Sequence, residues 1–432
     1  MITRIPYVIL LFISSVAVAG ESAHACTTAV ISGRATVDGR PLLWKNRDTR
    51  VTRHNEVIRL AGGELEAIAV VNAGKKDAVW MGVNEAGFCI ENSLTRDLAT
   101  SGKKSGPGNG GLMKLALETC KTVGDFRVLL EKTDKTGRRT IANFGVIDAQ
   151  GGAALFETGP KKHVMFDAND PEVAPDGIVV RSNFSTAIRG LPAEPDTAQL
   201  TDVFSQGRYR RACTLLNSPD QSKIDIGYVL RACTRDLMDT NLEAIPGSIN
   251  ANAGVLPECI VTSDTISRAI TVSATVFHGV RAGEDPRLTT MWTMLGEPIF
   301  TLAVPCWVAS EEISPELAGD RGAPLGELSN SLRDWNYLPE EEVVRSEALE
   351  EVWAELMPVE ERIITDTLQL RETLADSTAI ETELTRYHRA SVSKAYRTLR
   401  KVFLNAKSEA LANPGSPIPD FSDSLVTSSA AN

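Results

Sequence analysis

The sequence predicts an α+β protein with a helical extension on its C-terminal side. Two observations carry this. Up to about residue 310, short β-branched and apolar runs alternate with Gly and Asn turns, interrupted by two helical stretches. Beyond it, glycine thins out, acidic helix formers take over, and apolar residues recur at helical spacing.

The elements follow in chain order. Residues 1–25 read as a secretory signal. Arg4 supplies the positive start, and the apolar run from Val8 to Ala19 is shorter than the roughly 20 residues that span a bilayer. Ala23-His24-Ala25 gives the small-residue pattern of a signal cleavage site. Ala17-Val18-Ala19 is a second such site, and a cut there leaves residues 20–25 as a propeptide. Either route ends with Cys26 at the amino terminus. The expected location is therefore secreted or periplasmic, without a stable membrane anchor.

Thr27 to Ser32 is a strand, and Pro41 to Asp48 is its hairpin partner across the Asp38-Gly39 turn. Ala67 to Val71 and Val79 to Val83 are further strands; Asn84-Glu85-Ala86-Gly87 is a turn leading into Phe88-Cys89-Ile90. After the glycine-rich loop 106–111, one helix starts near Leu112 and a second covers Val123 to Leu130. Asn143 to Asp148 and Ala153 to Glu157 form a hairpin around Ala149-Gln150-Gly151-Gly152. Thr271 to His278, Trp292 to Leu295 and Phe300 to Val304 complete the strands. In the extension, 311–412, Leu349, Val352, Trp353 and Leu356, then Ile363, Thr367, Leu370 and Leu374, mark amphipathic helices, and their apolar stripe reads as core packing. The Pro- and Ser-rich tail 413–432 has a disordered composition.

The 432 residues are 43% hydrophobic and 23% charged, with a net charge of −11. No basic run could grip phosphates, so nucleic acid is not an expected partner. Of seven cysteines at least one stays unpaired, since the count is odd. There is no C-x-x-C, and the five histidines are scattered, so neither a zinc site nor another cofactor is expected. Most of the cysteines sit in apolar surroundings and read as buried thiols. Cys26 differs, with polar neighbours and a place at the cut.

A terminal cysteine has its own chemistry. A thiol becomes a good nucleophile when a base removes its proton. The α-amine of the same residue, with a pKa of about 8, is such a base. No histidine partner is then needed. The thiol and amine also need a carboxylate to orient them, and the tetrahedral intermediate needs hydrogen-bond donors. Lys45-Asn46-Arg47-Asp48 gathers two cations, an amide and a carboxylate on the strand that pairs with Cys26. Strand alternation puts Lys45 and Arg47 on one face and Asn46 and Asp48 on the other, so a bend near Asp48 is required to bring both sets to one site.

The ordered set Cys26-Thr27-Thr28, Asp38-Gly39 and Lys45-Asn46-Arg47-Asp48 resembles the opening of N-terminal nucleophile hydrolases of the choloylglycine hydrolase and penicillin V acylase superfamily. It looks closest to the branch containing acyl-coenzyme A:6-aminopenicillanate acyltransferase. Further matches follow in order: Gly82-Val83-Asn84-Glu85-Ala86-Gly87, the hairpin from Asn143 to Glu157, Arg181-Ser182-Asn183-Phe184, and Gly207-Arg208-Tyr209-Arg210-Arg211. The likeness runs from Cys26 to about Pro305 and defines a hydrolase domain over 26–310. It implies a four-layer αββα sandwich of two antiparallel sheets. It implies Cys26 as nucleophile with its amine as base, Asp48 holding that amine, Asn92 and Asn183 donating to the oxyanion, and Arg208 near the thiol and Asp48. Lys45 stands where the family usually has arginine; Arg47 could take over that charge. A lysine cannot make the forked contact of a guanidinium.

The expected activity is cleavage of a linear amide in a small-molecule substrate, or transfer of its acyl group. The short dipeptidase branch, which also begins Cys-Thr-Thr, is an alternative, as is a non-catalytic exported lipoprotein or binding protein. The extension could cap the core or support a homo-oligomer.

Overall fold

The computed structural model describes residues 25–95, 97–98, 105–200, 203–217, 224–238, 259–338, 342–375 and 377–412. The expected signal, up to residue 24, and the tail from 413 lie outside the described residues. No helix among the described residues is long and apolar enough to cross a membrane.

Strands β1 (Ala25–Ile31) and β2 (Leu42–Asp48) form the expected hairpin. β3 (Asn55–Leu60), β4 (Ala67–Asn72), β5 (Met81–Asn84) and β6 (Cys89–Leu94) follow. The turn between β5 and β6 depends on Gly87 at φ +76° and on Asn84, whose Oδ1 accepts from the backbone of Ala86 and Phe88, both at 3.1 Å. Helix α1 (Asn109–Thr119) starts three residues before the expected position. α2 (Val123–Thr136) extends six residues past it, opened by a capping box between Thr122 and Asp125. Next come β7 (Ala142–Ile147), β8 (Ala153–Thr158), β9 (His163–Asp167) and β10 (Ile178–Arg181). They are followed by α3 (Gln206–Leu216) and the short α4 (Ile226–Tyr228), which continues as a π turn to Cys233. β11 (Cys259–Val261), β12 (Thr271–His278), β13 (Thr290–Leu295) and β14 (Val304–Cys306) are the last strands before residue 310. The strand expected over Phe300–Val304 is corrected here: Pro298–Phe300 is a 3₁₀ turn, as suits a proline with its fixed φ, and pairing begins only at Val304.

Two large antiparallel sheets form among the described residues, of order β10-β1-β2-β12-β13-β14 and β3-β4-β5-β6-β7-β8-β9, beside the two-stranded pair of β11 and β15 (Val343–Arg345). The two large sheets lie face to face. Ile68, Val70, Met81 and Val83 join Val30 and Leu43 in the core between them, while the alternate residues Ala67, Ala69 and Val71 pack on α1 and α2 outside. Gly145 marks the close approach of the sheets, since a Cβ there would meet Leu43 Cδ1 at 2.5 Å and Val30 Cγ2 at 3.1 Å on the facing sheet. With α3 against β1 and β10, the layers read α-β-β-α.

The chain after 310 docks on the six-stranded sheet. It contributes α5 (Pro324–Asn336), β15 (Val343–Arg345), α6 (Glu347–Leu374) and α7 (Ile380–Ala412). Leu349, Val352, Trp353, Leu356, Ile363, Thr367 and Leu374 of α6 are buried, as their spacing predicts. β15 pairs with β11, which ties the extension to the earlier chain.

Candidate active site

Cys26 lies second in β1, directly opposite Arg47 of β2, while Ala25 is opposite Asp48. The hairpin register therefore fixes the thiol beside the Lys45–Asp48 run. A cavity of about 310 Å³ opens here, lined among others by Cys26, Lys45, Arg47, Asp48, Trp80 and Asn92. Asn46 points away; its Nδ2 donates to the carbonyls of Thr234 at 2.8 Å and Ile266 at 3.3 Å. The irregularity needed near Asp48 is present on the neighbouring strand. β12 carries a bulge between Thr271 and Ser273, opposite Asp48 and Arg47.

Each candidate side chain has a definite place. Lys45 is buried, and its Nζ donates to the Trp80 carbonyl and to Asn92 Oδ1, both at 2.9 Å. That contact fixes the Asn92 amide, because only its oxygen can face an ammonium. Asn92 Nδ2 is left as a donor without a protein partner among the described residues. Arg47 donates to Asn55 Oδ1 at 2.6 Å and Asn72 Oδ1 at 2.7 Å, and its guanidinium stacks 4.6 Å from the Trp80 ring. Two amides and an aromatic face thus anchor the second cation.

Arg208 is buried. It donates to the Cys26 carbonyl at 2.7 Å, Thr27 Oγ1 at 3.0 Å and Asn183 Oδ1 at 2.8 Å. Asn183 Oδ1 also accepts the Cys26 backbone N–H at 2.9 Å, while its Nδ2 donates to the Leu94 carbonyl at 2.7 Å. This amide orientation is required, since two donors converge on one atom. Asn183 therefore presents its oxygen, not its N–H, to Cys26, which differs from the oxyanion donation expected of it. Asp48 Oδ1 accepts from Thr271 Oγ1 at 2.8 Å, and its Oδ2 accepts no hydrogen bond among the described residues.

The electrostatics follow from burial. The Cys26 thiol is pushed up by burial, against the pull of Lys45, the backbone N–H of Asp48 and Arg47; the Asp48 carboxylate adds to the rise. Cys26 is 6% exposed, and burial outweighs its polar neighbours. Burial raises Asp48 to about 6, opposed by Arg268 and Arg208. It lowers Lys45, opposed by Cys26 and Glu91. It lowers Arg47 to about 10.

Sequence reading missed two members. Glu91 is buried within electrostatic reach of Lys45; Thr28 Oγ1 donates to it, as does the Gly145 N–H at 3.1 Å, and burial raises it to about 7. Its position next to Asn92 was the only available signal. Trp80, which backs Arg47, had none. All seven cysteines are free thiols; Cys89, Cys120, Cys233 and Cys306 are buried, Cys213 is half-buried and Cys259 is exposed.

No protein-family model and no curated protein sequence matches the chain. Among solved structures it is similar to a penicillin V acylase from Agrobacterium tumefaciens, at 14% identity over 69% of this chain and 89% of that one, with a TM-score of 0.39. It is similar to a variant of the conjugated bile acid hydrolase from Clostridium perfringens, at 13% identity over 62% of this chain and 89% of that one, with a TM-score of 0.38. An N-acylethanolamine-hydrolyzing acid amidase ortholog from Caenorhabditis elegans gives 13% identity over 59% and 92%, with a TM-score of 0.38.

Proposed function

We propose that the chain is an exported cysteine amidase of the N-terminal nucleophile type, a member of the choloylglycine hydrolase and penicillin V acylase superfamily. The observation that carries the reading is the convergence on Cys26 of a carboxylate, two buried cations and an amide donor oriented by Lys45, at the edge of a cavity. Such a cluster of shifted groups in a cleft is where covalent chemistry is expected.

The mechanism follows from the geometry. Ala25 pairs with Asp48 in the ladder, so a cut after Ala25 creates the Cys26 amine one register position from that carboxylate. Asn183 Oδ1, already on the Cys26 nitrogen, orients the amine. The amine takes the thiol proton, and the thiolate, favoured by Lys45 and Arg47, attacks the amide carbonyl. Asn92 Nδ2 donates to the oxyanion. The ammonium then protonates the departing amine, leaving a thioester on Cys26. Water, activated by the same amine, releases the acid; an acceptor amine in its place gives acyl transfer.

The test combines end-group mass analysis with turnover of chromogenic amides carrying different acyl groups. The protein isolated from its own export route should begin at Cys26. Cys26→Ser should fold and lose turnover by about 10⁴-fold or more, the scale set by losing a nucleophile. Retained turnover in that variant, or in one with a residue fixed before Cys26, overturns the reading.

A further inference from the structure

A run of charged groups leads from Asp48 through Arg268 to Glu342 of the C-terminal extension. Asp48 Oδ2 lies 4.0 Å from Arg268 Nη1. Arg268 sits in the turn before β12, 8% exposed, and its backbone N–H donates at 3.1 Å to Thr271 Oγ1, the hydroxyl that donates to Asp48 Oδ1. One loop thus reaches both carboxylate oxygens. Arg268 Nη2 lies 3.6 Å from Glu342 Oε2, and Glu342 also pairs with Arg50. Glu342 is fixed at its backbone. Its carbonyl accepts from Thr262 N at 2.7 Å and Thr262 Oγ1 at 3.1 Å, just before β15 pairs with β11.

We propose that Glu342 is a positioning residue that holds Arg268 against Asp48, so that the segment after residue 310 completes the charge arrangement of the active site. The charge count explains the need. Asp48 is faced by Lys45 and Arg47 from its own strand, the Cys26 thiol from β1, Arg208 from α3, Arg268 from the β11–β12 connection, and Glu297 and Glu342 from the later chain. Arg208 and Arg268 repel each other. Without Glu342, Arg268 keeps Asp48 as a partner at 4.0 Å and Arg208 as a like charge, and its hold against Asp48 loosens. The inference rests on the reading of Asp48 as the group that holds the Cys26 amine.

The sign of one shift tests it. Glu342 by itself raises Asp48 through like-charge repulsion, whereas Arg268 lowers it. If Glu342 acted only through space, its removal would lower Asp48. If it positions Arg268, removal raises Asp48, because the stronger cation is lost with it. The experiment is the pH dependence of kcat/KM for Glu342→Ala, Arg268→Lys, Arg268→Gln and the double Glu342→Ala/Arg268→Gln, with circular dichroism confirming the fold. For Glu342→Ala the acidic limb should move up by about half to one pH unit, a threefold to tenfold loss on that limb, with kcat near the plateau kept. Arg268→Gln should move it the same way, Arg268→Lys should move it less, and Glu342→Ala should raise it no further in the Arg268→Gln background. A limb that stays or moves down in Glu342→Ala overturns the inference. If Asp48→Asn leaves wild-type turnover, the reading of Asp48 fails instead.

Discussion

Two buried ionic clusters in this fold are built to different ends. Arg235 and Glu360, both fully buried, join the core to α6. Arg235 donates to the carbonyls of Pro298, Leu230 and Thr301 at 2.8, 2.7 and 3.1 Å, and forks onto Glu360 at 2.9 and 2.6 Å. The Ala303 N–H adds a further bond to Glu360 at 2.6 Å. Every group there is answered. Around Cys26, by contrast, Asp48 Oδ2, Glu91 Oε2 and Arg208 Nε accept or donate no hydrogen bond among the described residues. Asp48 and Glu91 are raised, and Lys45 and Arg208 are lowered, burial leading in each case. The difference separates structure from chemistry: a satisfied cluster specifies packing, while an unsatisfied one is poised to act on a ligand.

Substitutions should therefore give opposite kinds of damage. Glu360→Ala leaves a buried guanidinium unpaired and should cost about 3–5 kcal/mol of stability. Thermal or urea unfolding reads this, and the folded fraction should keep its kcat/KM; an unchanged midpoint would erase the contrast. Asn92→Ala should do the reverse, lowering kcat by about 10²–10³-fold through a lost oxyanion donor, with an unfolding midpoint nearer to wild type than that of Glu360→Ala, since Lys45 keeps the Trp80 carbonyl. Asp48→Asn sharpens the comparison further. A carboxylate raised to about 6 disfavours folding once it ionises, so its relative stabilisation is present below its unfolded value and lost as pH rises through about 6. In chains that retain Ala25, Asp48→Asn should be more stable than wild type by about 1–3 kcal/mol at pH 7. Near pH 3 the gain should vanish, because both states of the wild type are then protonated. In chains that begin at Cys26, the same substitution should lower turnover.

Local pattern made much of this legible. The β1–β2 hairpin, and with it the thiol's neighbours, follows from alternation and the Asp38-Gly39 turn. The stripe of α6 follows from helical spacing. Asp48 was harder: alternation places it on the face opposite Arg47, and the bulge on β12 that accommodates both is set by a strand more than 220 residues later in the sequence. Asn183 and Arg208 were found only through the family resemblance, since their positions depend on how β10 and α3 pack on β1. The orientation of Asn183, oxygen toward Cys26, follows from Arg208 and has no sequence signature. Trp80 and Arg268 were invisible, and Glu91 was signalled only by its neighbour Asn92, because burial and long-range contacts, not spacing, give them their roles. The 3₁₀ turn at Pro298 replaced an expected strand for the opposite reason, a local backbone preference overriding an apolar run.

The central claim is that Cys26, as the first residue, forms the covalent intermediate. Turnover of a chromogenic amide quenched in acid within the first seconds, followed by peptide mass analysis, tests it directly. The account predicts a fragment that begins at Cys26 and carries the mass of the acyl group as an acid-stable thioester. An acyl mass on any other residue, or an active protein whose Cys26 remains joined to Ala25, would contradict it.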